Sequence, residues 1–75
     1  GLISVSIVTA DGTLADGLST SVFIMGKEAA TEYWRNHSDE FDMILMTDDR
    51  EIYVTKGIAD SFESEMDTKI IEKKV

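Results

Sequence analysis

TADGTLADGLSTSVFIMG, residues 9–26, decides how the rest of the chain is read. Leu14, Leu18, Val22 and Met25 recur at helical spacing, Asp11 or Thr13 can cap the start, and Gly26 closes the segment, so a helix is expected over 11–25. Its interior nonetheless holds Gly17, Ser19, Thr20 and Ser21. Relative to alanine, glycine weakens a helix interior by about 1 kcal/mol, and serine and threonine weaken it less. Something other than local stability selects them.

Outward from that helix, the preceding LISVSIVTA, residues 2–10, alternates Ile3, Val5 and Ile7 with Ser4 and Ser6, the pattern of a half-buried strand ending at Asp11-Gly12. On the other side, KEAATEYWRNH carries Ala29, Ala30, Tyr33 and Trp34 as an apolar stripe, with Glu28 and Glu32 toward water, and predicts a second helix ending near Asn36. FDMILMT, 41–47, is an apolar run of strand length, as in a central strand covered on both faces. Asp48, Asp49 and Arg50 make a turn, and EIYVT, 51–55, returns as its hairpin partner until Lys56-Gly57 breaks it. The apolar residues Ile58, Phe62, Met66, Ile70 and Ile71 follow a mixed period that fits a short strand or a frayed helix, with a strand over 66–72 favoured. The expected fold is α/β (α+β): a small mixed or antiparallel sheet of three to four strands packed against two helices, in the order β-α-α-β-β(-β).

Composition bounds the function. The 75 residues contain no cysteine and no proline and are 43% hydrophobic, which describes one globular domain, 1–75, without a disulfide framework. A domain of this size buries only about 60% of the surface its unfolded chain exposes, so its independent stability is marginal and it reads as a piece of a larger protein. Fifteen acidic against seven basic residues give a formal charge of -8, which repels phosphate backbones and excludes nucleic acid as a partner. No apolar run approaches the roughly 18 residues needed to span a bilayer.

On a helical wheel Thr20 falls about 40° from Asp16 and Phe23 about 20° to its other side, with Leu14, Leu18 and Met25 opposite. A carboxylate and a hydroxyl four residues apart stack within about 6 Å, close enough to reach one hard cation such as magnesium, Mg2+. Gly17 beside them leaves room for another chain or a ligand. The plain alternative is that serine and threonine bond to their own helix backbone. Local rules broken without structural gain favour a functional face.

These residues also carry a resemblance. SVSIV at 4–8, ADGLST at 15–20 and VFIMG at 22–26 resemble the C-terminal part of the ApbE family, the FAD:protein FMN transferases formerly called thiamine biosynthesis lipoproteins. IYVTKGIADSF, 52–62, is similar to that family's closing hairpin, with Glu51 where a turn glycine is usual. The resemblance implies an enzyme that cleaves the pyrophosphate of FAD with Mg2+ and attaches FMN to a threonine of an acceptor flavoprotein. It maps the metal ligands onto Asp16 and Thr20 and makes Asp16 the foremost catalytic candidate. It further implies that flavin contacts, another metal ligand and a His-Asp-Pro-like element lie in a remaining N-terminal part, so that 1–75 is a C-terminal fragment. By itself such a fragment is expected to be inactive and to bind neither FAD nor Mg2+ tightly. An extracytoplasmic, lipid-anchored parent is implied by the family alone. The competing class is a noncatalytic flavin- or protein-binding module of the same shape.

Other candidates carry less. His37, after Asn36 at a helix end, reads as a surface or capping histidine. Tyr33 and Trp34 read as flank and core, since only Arg35 among basic residues adjoins them. Asp39, Glu40 and Asp42, and the pair Asp48-Asp49, lack the twelve-residue calcium-loop pattern and read as solvated turns. The four methionines fill core gaps.

Overall fold

Leu2–Val8 form strand β1 and leave it through a turn fixed by Thr9 and Asp11. The Thr9 hydroxyl donates to the Glu40 carbonyl at 3.0 Å and accepts the Asp11 amide at 3.3 Å. Asp11 then caps helix α1, Gly12–Asn36, its Oδ1 accepting the amides of Thr13 at 3.0 Å and Leu14 at 3.1 Å. A cap of this kind satisfies N–H groups that have no intrahelical partner, and of the two candidate caps it is Asp11 that provides it. The computed structural model describes residues 2–61 and 68–72.

Gly26 breaks α1 into two limbs, 12–25 and 27–36, with φ 85° and ψ 172°. That backbone region belongs almost entirely to glycine, so Gly26 closes the first limb, as expected, and the second limb starts directly after it across a kink. The helix ends where the His37 amide bonds to the Trp34 carbonyl at 2.9 Å.

Strands β2, Asp42–Thr47, and β3, Ile52–Thr55, follow, then a short helix α2, Lys56–Ala59, and strand β4, Thr68–Ile71. They build one mixed sheet in the order β1-β2-β3-β4, antiparallel at the first two seams and parallel between β3 and β4. The α+β class and the expected order are therefore observed, with α2 as an addition. A parallel pair needs a crossover connection, and α2 opens it at the Lys56-Gly57 step where the strand was expected only to stop. Gly57 makes room there: a Cβ would come within 2.5 Å of the Asp42 carboxylate and displace it from the Thr55 hydroxyl, which donates to it at 2.7 Å. The strand favoured over 66–72 is present as β4; residues 66 and 67, like Phe62, lie outside the described residues.

The core joins Leu18, Val22, Ala30 and Trp34 of α1 to Phe41, Met43, Leu45 and Ile71. Trp34 is fully buried, and its indole N–H donates to the Phe41 carbonyl at 3.0 Å. Two local expectations need correction. Ile3 does not share a face with Val5 and Ile7: the register shifts between Leu2 and Ser4 against Thr47 and Met46, so Leu2 packs against the core and Ile3 is 55% exposed. One extra residue in a strand reverses the phase of everything before it. Nor is β2 buried on both faces, since Met43, Leu45 and Thr47 are buried while Asp42, Ile44 and Met46 are half-buried.

The β2–β3 turn closes on itself. Arg50 takes a left-handed φ of 66°, and the Thr47 hydroxyl donates to the Asp49 carboxylate, holding that carboxyl below the usual aspartate value. Across the parallel seam Lys69 pairs with Glu51, and the hydrogen bond and charge of that partner raise the ammonium above its ordinary value.

Candidate functional site

The first limb of α1 sorts its residues by face. Leu18 and Val22 are buried, Leu14 and Met25 are half-buried, and Asp16, Gly17, Thr20, Phe23 and Ile24 are exposed. Asp16 and Thr20 thus share the outer face, as the 3.6-residue period requires. Neither side chain has a hydrogen-bond or ion-pair partner among the described residues. Ser19 behaves otherwise, because its hydroxyl donates to the Asp16 carbonyl at 3.1 Å, the backbone bond that serines commonly make in helices.

Gly17 meets nothing that demands a glycine. A Cβ placed there finds no atom within 4 Å, and its backbone is helical. The chain's own packing therefore gives no reason for the missing side chain. Gly17 lines a depression of about 410 Å³ shared with Asp11, Thr13 and Ser21, and Thr20 lines a second, of about 340 Å³, shared with Val5, Phe23 and Ile24. Phe23 is 50% exposed and Ile24 79%, so apolar surface borders the hydroxyl. The wheel put Phe23 beside Asp16, but Ile24 was missed. Its signal was present in Val22-Phe23-Ile24-Met25, since four consecutive apolar residues on a helix cannot all face one core.

Could this face hold a divalent cation? Asp16 and Thr20 offer hard oxygens on adjacent turns, the donor type magnesium prefers. Among the described residues no group of three or more His, Cys, Asp or Glu side chains gathers as a metal site. By itself the pair would be only part of a ligand set. Magnesium commonly takes one or two protein oxygens and completes its shell with water and substrate phosphates, so the pair fits that role.

The remaining sequence candidates fall elsewhere. His37 is the C-cap of α1, its Nδ1 2.9 Å from the Tyr33 carbonyl and its ring stacked on Tyr33 at 4.2 Å. Asp42 is tied to Thr55, and Asp49 to the β2–β3 turn.

The fold and this face define an α+β domain that presents an acid and a hydroxyl, bordered by apolar surface, on the outer side of a kinked helix. A family model matches residues 1–45 of the 75, from β1 through the Asp16–Thr20 face into β2, and on that match the chain belongs to the ApbE family, which is related to flavin transferases. No curated protein and no solved structure matches the chain. The likeness noted in 52–62 lies beyond the matched residues; its described part forms β3, the return arm of the β2–β3 hairpin, and then α2.

Proposed function

We propose that this domain supplies the Asp16–Thr20 part of a Mg2+-dependent flavin transferase site, which moves FMN from FAD onto a threonine of an acceptor flavoprotein. The observation that carries the reading is the outer face of the first limb, where among the described residues two oxygen ligands have no side-chain partner, a glycine has no packing cause and apolar side chains lie uncovered. Membership of a flavin-transferase-related family supports this reaction class.

In such a transfer the acceptor threonine oxygen bonds to the FMN phosphorus, the phosphoanhydride bond to AMP breaks, and the hydroxyl proton departs. Asp16 is the group to orient that hydroxyl and take its proton, and Asp16 with Thr20 would hold the ion. A bound magnesium would neutralise charge on the pyrophosphate oxygens. Gly17 leaves the helix surface low enough for a nucleotide to lie against it. Phe23 and Ile24 would be covered by the remaining part of the parent protein, which would contribute the flavin contacts and further ligands. The 75-residue chain alone is accordingly a poor binder of FAD and of Mg2+. No helix among the described residues is long and apolar enough to cross a membrane, and anchoring of the parent through a lipid outside the cytoplasm belongs to the same proposal.

The decisive experiment incubates full-length protein with FAD, Mg2+ and a candidate acceptor and weighs the acceptor. A gain of one FMN with the unaltered protein, lost in Asp16→Ala and in Thr20→Ala while both remain folded, is the expected result. Transfer retained in both variants would refute the assignment. Absence of transfer under every condition, with partner binding intact in Asp16→Ala, would point to the noncatalytic module.

A further inference from the structure

The second limb of α1 faces β3 and β4 across a groove of about 530 Å³. In a chain with seven basic residues and a charge of -8, Lys27, Arg35 and Lys69 all line this one groove, together with Tyr53. No residue of the Asp16–Thr20 face takes part.

The three cations are not equivalent. Arg35 is committed, its Nε donating to the Glu72 carbonyl at 3.0 Å and its guanidinium pairing with Glu32 at 3.8 Å. Lys69 is committed to Glu51. Lys27 is different: among the described residues no carboxylate pairs with it. Its ammonium donates to the Tyr53 hydroxyl at 3.3 Å and stands 4.5 Å from the centre of that ring. An ammonium carries three N–H donors, so two remain. Tyr53 accepts through its oxygen and keeps its own O–H to donate, and a phenol that accepts from a cation becomes a better donor. Two donors on neighbouring atoms, one of them charged, thus open onto the same groove, half-buried where charge-assisted bonds gain strength.

We propose that this groove binds a small oxyanion, the carboxylate or phosphate group of a metabolite-sized ligand, on Lys27 Nζ and Tyr53 Oη. Glu28 and Glu72 at the rim and the acidic surface beyond them disfavour polyanions, which limits the ligand to low charge. Lys69, 5.8 Å from the centre of the same ring, is a second cation near it, its charge offset by Glu51.

The test is a titration of the full chain with inorganic phosphate and, separately, with acetate, against chloride at matched ionic strength, following backbone amide shifts. Saturable shifts centred on Lys27, Tyr53 and Lys69 are expected with at least one of the two anions. Saturation by phosphate alone identifies a phosphate ligand, and saturation by acetate identifies a carboxylate. Lys27→Met should weaken the response about tenfold and Tyr53→Phe by less, whereas Arg50→Gln, an equal loss of charge outside the groove, should leave it unchanged. Shifts that follow chloride equally, or a Lys27→Met or Tyr53→Phe protein that titrates like the unaltered chain, would overturn the proposal. Tyr53→Phe removes one oxygen and keeps the ring, so it remains informative should Lys27→Met fail to fold.

Discussion

The two limbs of α1 run on either side of one glycine and use their surfaces in opposite ways. Limb 27–36 buries Ala30 and Trp34 completely and turns Glu28 and the Glu32–Arg35 ion pair outward, as an amphipathic helix serving its own core would. Limb 12–25 also buries two residues, Leu18 and Val22, but its outer side carries Gly17, Thr20, Phe23 and Ile24. Poor helix formers and exposed apolar groups together are what a surface looks like when it is shaped for a body outside the chain. The second limb is chosen for stability, and the first gives some up.

Trp34→Ala should break the contrast most severely. Truncating a buried tryptophan costs about 3–5 kcal/mol, and here the Phe41 carbonyl also loses its donor. For a domain this small that approaches the whole stability, so circular dichroism should report a largely unfolded chain. A cooperative melt near that of the unaltered chain would show that the second limb is not the anchor. Gly26→Ala comes next. Open space surrounds the position, so no clash is involved, and the loss of about 1–3 kcal/mol arises from the backbone alone. Denaturant midpoints measure it, and an unchanged midpoint would mean that the limbs join without strain.

How much of this was legible beforehand follows from the range of the forces involved. Asp11, the Leu14-Leu18-Val22-Met25 spacing and Gly26 act within a turn or two of helix, so both limbs and their junction could be read from the sequence. The same periodicity places Asp16 and Thr20 on one face. Ile3 was misplaced because a bulge is invisible in an alternating pattern until the partner strand fixes the register. Helix α2 has four residues, one of them Gly57, and exists because β3 and β4 pair in parallel, a nonlocal fact. The groove of Lys27 and Tyr53 was illegible for the same reason, since its two donors are 26 positions apart and meet only through packing.

The finer test of the contrast lies in substitutions that should hardly disturb the fold. Gly17→Ala adds a methyl group into open space on a helical backbone, so it should raise stability by about 1 kcal/mol, a gain of several degrees in melting temperature. Its sharper consequence is functional: in the full-length protein the same methyl should impair flavin transfer, because it fills the place where a nucleotide would approach. Stability and activity moving in opposite directions is the signature of a residue kept for an outside contact.

Asp16→Ala and Thr20→Ala should change stability least, by about 0.5 kcal/mol or less, since both side chains are exposed and neither has a partner within the described residues. Matched urea melts of the two variants measure it. A loss well beyond that would mean that these oxygens serve the chain's own fold, and the difference between the limbs would then be one of composition only. A near-zero change, beside loss of FMN transfer in the full-length protein, would assign the pair to chemistry.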